Sequence, residues 1–473
     1  MDEKVLYKFS NKDLPTVVVM GLGFVGAAMT AAVSSAKDQE GCPLFNVVGV
    51  DQATARGSAR VNAIKKGKFP FSTTDTSLEN AIQTSVANGN LTATVDESVY
   101  ANADVVIVDI HLDATLQDDQ PKVDFEPFEK AITTLGKQIS QSTLVIIETT
   151  VPPGTCEHLI VPILRHEFGN RGLDPEKICI AHSYERVMPG SEYLASINKF
   201  WRVYSGIDNY AASRCEQFLS SVIDVESFPL TRLDNMTSSE MAKVLENSYR
   251  AVNIALIDEW AVLAESIGVD LFDVIQAIKV RPTHNNIMRP GLGVGGYCLT
   301  KDPYMALYSS SKLNSAKQSR FGLTKLAMEI NASMPIRNAD RFSCIFEKNV
   351  DGKRVLMLGA AYRPEVGDTR FSAAEAFYRQ LISNGAEVTV HDPYVEYWHE
   401  VSLALSKSLP SPKDYDAVIF CVGHKKYTDM DVGNWLGAAR PLIYDCDYVL
   451  SKTTLIALSK LGVQVYSTGR GQH

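Results

Sequence analysis

"VVVMGLGFVGAAM", residues 17–29, places a glycine triplet directly behind a run of β-branched residues. Thr16–Met20 reads as a buried parallel strand, and the residues from Phe24 onward read as a helix. Gly21 allows the tight turn between them, Gly23 lets backbone approach a pyrophosphate, and Gly26 lets helix and strand pack closely. Phe24 and Val25 complete this loop, whose helix offers amides and a positive dipole end to phosphate. A second strand-like run, Asn46–Val50, ends at Asp51. A carboxylate there accepts a ribose 2′-hydroxyl and repels a 2′-phosphate, so the expected cofactor is NAD rather than NADP.

The same alternation extends outward from this unit. Asp104–Val108 and Thr143–Glu148 are further short apolar runs with helix-compatible sequence between them. The tail repeats the scheme in Arg354–Gly359, Glu387–Pro393, Asp416–Val422 and Pro441–Asp447. "NVVGVD" against "VTVHDP" marks a weak internal repeat. The tail lacks the triplet: "GAAYRPEVGDTR" (359–370) has one glycine where three are needed. It suits a nucleotide rather than a dinucleotide, with Arg363 and Arg370 either facing phosphates or simply solvated.

Thr237–Gly268 contains no proline and no internal glycine. Thr237 and Glu240 fit a capping box, Gly268 fits a C-terminal stop, and the helix would be ~45 Å long. Glu240, Lys243, Asn247 and Arg250 share one face, with Met241, Val244, Leu245, Val252, Leu256 and Trp260 over the rest. Two readings stay open: an ordinary amphipathic helix with a wet face, or an amine–amide pair that stabilises an alkoxide.

Lys and Arg total 46 against 55 Asp and Glu, a formal net charge of −9, which argues against nucleic acid and anionic membranes as partners. No apolar run reaches transmembrane length, and "MDEKVLYKFS" lacks signal-peptide character. The eight cysteines include no CxxC pair and do not cluster with the nine histidines. Reduced thiols in a cytoplasmic protein are expected, with no metal site.

One cysteine stands apart. Cys298 lies in "RPGLGVGGYCLTKDP" (289–303), among Gly291, Gly293, Gly295 and Gly296. These glycines would let backbone wrap closely around a ligand. An unassisted thiol is only a few per cent thiolate at neutral pH; Lys301 or a helix N-terminus would favour the thiolate, and Asp302 alone would oppose it.

The triplet, "ETTVPPGT" (148–155), "YERVMPG" (184–190), "EMAKVLENSYRAVNIA" (240–255), the Cys298 loop and "GAAYRPEVGDTR" occur in this order. Together they resemble the UDP-glucose/GDP-mannose dehydrogenase family of nucleotide-sugar 6-dehydrogenases, from about residue 14 to 450. The resemblance implies two Rossmann-like doubly wound α/β domains joined by a long central helix in a small α-helical domain. The expected boundaries are an NAD domain at 1–226, a helical spine that dimerises at 227–330, and a UDP-sugar domain at 331–473. It implies four-electron oxidation of a sugar C6 alcohol, with two NAD, for surface-polysaccharide synthesis.

Residue by residue, Cys298 matches the nucleophile that forms a thiohemiacetal and then a thioester. Lys243 and Asn247 match the oxyanion-stabilising pair, Asp302 and Thr150 the groups that position water and assist proton transfer, and Glu185 a proton-transfer residue. Thr150, Lys301 and Arg370 also fall on the cofactor side. Substrate contacts are implied for Glu185, Arg186, Lys243, Asn247, Arg250, Arg289, Gly293, Gly295, Tyr297, Tyr362 and Arg363. Glu185-Arg186, Pro189-Gly190 and Gly293–Gly296 follow the N-acetylhexosamine branch, whereas Lys301 follows the UDP-glucose branch. Tyr184 replaces a usual proline, Tyr297 a histidine, and Asp447 an arginine. A UDP-N-acetylhexosamine is the expected substrate, UDP-glucose the alternative, and a non-catalytic NAD-sensing protein the reading from another class.

Overall fold

The computed structural model describes residues 13–118, 120–313, 321–346 and 349–471. The chain divides into two compact units. One takes the chain up to Leu245 and the segment from Tyr304; the other takes Glu246–Pro303 and the chain from Arg320.

The first unit is built on an eight-stranded sheet: β1 (Thr16–Met20), β2 (Asn46–Val50), β3 (Leu91–Thr94), β4 (Val105–Val108), β5 (Leu144–Ile147), β6 (Cys179–His182), β7 (Val203–Gly206) and β8 (Thr231–Arg232). Their order is β8-β7-β6-β5-β4-β1-β2-β3. All neighbours run parallel except β6 and β7. The β-branched runs are buried on both faces: Val17, Val19, Ile107 and Ile146 pack on one side with Ala27, Ala28 and Ala31 of helix α1 (Phe24–Ser34). Chain order reverses between β1 and β4, so a crevice opens at their carboxyl ends, where Gly21 lies.

Helix α2 (Met236–Ile267) carries the division between the units within it and stops at Gly268, which takes φ +75°. Its cap differs from the expectation. Asn235 Oδ1 accepts the Ser238 N–H at 2.8 Å, while Glu240 turns away to a distant loop. A buried carboxylate with two otherwise orphaned backbone donors gains more there than at an exposed cap. Its faces also differ from an amphipathic helix with a wet polar side. Glu240, Lys243 and Asn247 are buried, whereas Met241, Leu245, Tyr249, Leu256, Leu263 and Ile267 are exposed.

The second unit holds a parallel five-stranded sheet: β9 (Arg354–Leu358), β10 (Glu387–His391), β11 (Ala417–Phe420), β12 (Leu442–Asp445) and β13 (Val465–Ser467). The order is β10-β9-β11-β12-β13. Val355, Met357, Ile419 and Tyr444 face Phe342 and Phe377; Leu356, Leu358, Val418 and Phe420 face Leu436 and Leu458. The alternation of partners along each strand gives a doubly wound layer. Helix α3 (Tyr297–Leu313) starts at the residue before Cys298. No described helix is long and apolar enough to cross a membrane.

Candidate active site

The glycine triplet is required by space and not only by pattern. Gly21 takes φ +98°, and a Cβ there would stand 2.5 Å from the Asp109 carbonyl oxygen. A Cβ on Gly26 would stand 1.8 Å from the Gly21 carbonyl oxygen. Gly23, by contrast, faces open space and begins α1 without a side-chain cap. The two closed glycines hold strand and helix together; the open one leaves the helix N-terminus accessible to a phosphate. Phe24 and Val25 are half-buried beside it. Asp51 sits at the end of β2, its Oδ1 accepting the Gln52 N–H at 2.7 Å and its Oδ2 accepting from Arg60 at 3.1 Å. Arg60 lies over Phe71, which stacks on Phe24. This set fits NAD: a cradle that side chains would fill, a helix end for pyrophosphate, and a carboxylate for the ribose.

Beyond β5, β6 and on α2, the first unit assembles a second cluster. Lys243 donates to the Glu185 carbonyl oxygen at 2.8 Å and lies 3.4 Å from Glu185 Oε1. Glu185 Oε2 accepts the Val187 N–H, which fixes the carboxylate. Arg186 donates to the Tyr184 hydroxyl at 3.2 Å. Thr150 is half-buried just beyond β5. His182 is fully buried, and burial, then Lys243, lowers it to about 3, so the ring is neutral.

Arg202 and Asp109 gave no signal in the sequence, and neither did the partners of Glu240, because these contacts span long stretches of chain. Glu240 accepts the N–H of Gly154 at 2.5 Å and of Cys156 at 2.7 Å, over 86 and 84 residues. Arg202 pairs with Glu148 at 2.5 Å, both nearly inaccessible. Asp109, beside Glu148, is pushed well up by burial and then by that neighbouring charge.

In the second unit Asn247 donates to Asp302 Oδ2 at 2.6 Å and Lys301 to Asp302 Oδ1 at 2.9 Å. Asp302 is fully buried, and the Lys301 ammonium lies 4.5 Å from the centre of the Tyr297 ring. Lys301 thus contacts both Asp302 and Tyr297. Cys298 is exposed in the first turn of α3. The loop glycines also pack against the chain itself. A Cβ on Gly296 would stand 2.7 Å from the Tyr362 ring, one on Gly295 3.0 Å from the Phe371 carbonyl oxygen, and one on Gly293 3.0 Å from Ala373. The close approach they permit is to the chain's own 362–373 segment.

Two of the arginines lie in that segment. Arg370 forms a two-pronged pair with Asp368 at 2.9 and 2.8 Å, and Arg363 meets the Tyr362 hydroxyl. Arg289 lies 3.8 Å from Asp447, whose Oδ2 accepts the Gly423 N–H. Arg250 is exposed on α2. At the position of this sheet that corresponds to Asp51, Asp392 accepts the N–H groups of Ala360 and Ala361 at 2.8 and 3.1 Å and bonds His424. A side chain thus occupies two backbone amides just beyond β9.

The cradle, the acidic strand end and the buried lysine clusters define an NAD-dependent oxidoreductase. Three segments match the UDP-glucose/GDP-mannose dehydrogenase family: residues 15–215 its NAD binding domain, 237–333 its central domain and 356–452 its UDP binding domain. The chain belongs to this family. It is 29% identical to a UDP-N-acetyl-D-mannosamine dehydrogenase of Methanocaldococcus jannaschii, with 97% of each chain covered. It is 29% identical to a UDP-N-acetyl-D-glucosamine 6-dehydrogenase of Pseudomonas aeruginosa, covering 93% of this chain and 98% of that one. The solved structure of a UDP-D-ManNAc dehydrogenase from Pyrococcus horikoshii superposes with a TM-score of 0.79 at 28% identity, covering 97% and 100%.

Proposed function

We propose that the chain oxidises the C6 alcohol of a UDP-N-acetylhexosamine, UDP-GlcNAc or UDP-ManNAc, to the uronic acid in two steps without releasing the aldehyde. The names of the relatives and the Glu185-Arg186 and Gly293–Gly296 motifs support the hexosamine branch. When bound, NAD supplies the hydride acceptor for each oxidation. The Lys243 ammonium and the Asn247 amide, four residues apart on α2, stabilise the C6 alkoxide as its proton leaves. The Cys298 thiolate adds to the aldehyde carbon to give a thiohemiacetal, whose oxidation leaves a thioester on sulfur. Water then cleaves that thioester, releasing the carboxylate and restoring the thiol. Asp302, gripped by Lys301 and Asn247, positions that water with Thr150, and Glu185 assists the proton transfer.

The observation that carries this reading is the exposed Cys298 on a helix N-terminus, four residues before an aspartate fixed by two buried donors. Tyr362, Arg363, Arg289, Tyr297 and the loop at Gly293 and Gly295 serve the UDP-sugar, with Arg186 and Arg250. Thr150, Lys301 and Arg370 serve the cofactor side. UDP-glucose is a second reading, favoured by Lys301 alone. NADH release with a panel of UDP-sugars tests both, on wild type and Cys298→Ala. The expected result is two NADH per N-acetylhexosamine and no uronic acid from the variant. One NADH per sugar, or an active Cys298→Ala, overturns the mechanism; no turnover with any UDP-sugar favours the NAD-sensing reading.

The proposal extends to the assembly and setting. The exposed apolar row Met241, Leu245, Tyr249, Leu256 and Leu263 along α2 supports a homodimer through that helix. The matched segments support the functional division at 1–226, 227–330 and 331–473. Eight free cysteines support a cytoplasmic enzyme, and the product class suits polysaccharide biosynthesis.

A further inference from the structure

Tyr184 stands where the family pattern has proline, so its role is not inherited from that pattern. It is buried, with 1% of its surface accessible. Two cations share its ring: Lys243 Nζ lies 5.4 Å from the centroid and the Arg186 guanidinium carbon 5.6 Å. Arg186 in addition donates to the Tyr184 hydroxyl at 3.2 Å and lies 5.7 Å from the Phe200 ring. Glu185, between them in sequence, takes Lys243 through its carbonyl and carboxylate oxygens. His182, also near Lys243, is neutral and adds no third charge.

We infer that Tyr184 is a positioning residue with two separable parts: the ring face holds the ammonium of Lys243, and the hydroxyl holds the guanidinium of Arg186. Electrostatics gives the reason. Like charges repel, and the Glu185 carboxylate lies 3.4 Å from one of them, Lys243. The negative face of an aromatic ring attracts both cations without becoming a base that could take a proton from either. Proline offers neither the face nor the acceptor.

The inference rests on the roles proposed above for Lys243 and Arg186, and its test separates the two. Tyr184→Phe keeps the ring and removes the hydroxyl. It should raise KM for the UDP-sugar about tenfold or more, the worth of a hydrogen bond to a charged group, with kcat within about twofold. Tyr184→Leu removes both parts and should also lower kcat about three- to thirtyfold. In the substrate-free protein, Lys243 should be acetylated several-fold faster by acetic anhydride in Tyr184→Leu than in wild type, at one fixed alkaline pH. Tyr184→Phe should match wild type in that assay. Should Tyr184→Leu not fold, the Tyr184→Phe split decides alone: unchanged KM, or kcat falling with it, overturns the inference. Wild-type kcat and acetylation in a folded Tyr184→Leu also overturn it. If wild type turns over no UDP-sugar, the function proposed above fails, while acetylation still decides the role of Tyr184.

Discussion

Glu240 on α2 closes the loop that follows β5: its carboxylate accepts the N–H of Cys156 at 2.7 Å and that of Gly154 at 2.5 Å. Both amides belong to the segment that carries Thr150, so one side chain ties a loop to a helix turn from which Lys243 also projects. Glu240→Gln replaces one acceptor by a donor that faces backbone N–H. It should cost about 1–3 kcal/mol, read as a lowered midpoint of thermal unfolding.

The same group gives a signed pH dependence. Burial raises the Glu240 carboxyl from 4.5 to about 7, against the opposing pull of its hydrogen bonds. Between those values the folded chain binds a proton that the unfolded chain has lost, so this contribution to stability falls as pH rises. It is fully present below about 4.5 and lost through about 7. Glu240→Gln should flatten that part of the stability–pH curve; an unchanged slope would show that the carboxyl titrates normally.

Asp302 and Lys301 form a buried pair, with side chains 0% and 7% accessible. Asp302→Ala strands the ammonium and should destabilise by about 3–5 kcal/mol. Adding Lys301→Leu removes the stranded charge, so the double variant should be more stable than Asp302→Ala alone. Chemical denaturation of wild type, Asp302→Ala and the double variant checks this, and a double variant less stable than Asp302→Ala would refute it.

Gly23 and Gly26 make opposite predictions although both belong to the triplet. Gly26→Ala meets the Gly21 carbonyl at 1.8 Å and should lose about 3 kcal/mol or more. Gly23→Ala meets nothing within 4 Å, so the fold should stand while NAD affinity drops about tenfold through a lost phosphate contact. Thermal melts with and without NAD distinguish them.

Asp51 should set the choice of dinucleotide. Asp51→Asn removes the charge that repels a 2′-phosphate and frees Arg60, now 3.1 Å away, to meet it. The ratio of kcat/KM for NAD over NADP should fall about tenfold or more. An unchanged ratio would place the discrimination elsewhere.

Local sequence determined much of this protein. β1, β2, β4, β5 and the first four strands of the second sheet are β-branched or apolar runs, legible because strands buried on both faces need little else. The triplet was legible because two of its glycines answer a steric demand that no other residue meets. The length of α2 followed from an uninterrupted helical stretch ending at Gly268. Several edge and later strands were not legible: β3, β6, β7 and β13 are only three or four residues long and mix small or polar residues with apolar ones. Docking on a neighbouring strand makes them strands.

Tertiary structure decided which side of each pattern faces inward. The polar face of α2 is buried because Glu240, Lys243 and Asn247 find partners 55 to 86 residues away, at Gly154, Glu185 and Asp302. No periodicity encodes partners at that separation. The loop glycines at 293–296 were visible as glycines, but only the packed Tyr362, Phe371 and Ala373 show what approaches them. Asp51 and Asp392 end corresponding strands in the two units; one carboxylate stays beside an open cradle and the other is spent on Ala360 and Ala361. Sequence supplies the residue types and their local geometry, and long-range contact decides which groups remain available for chemistry.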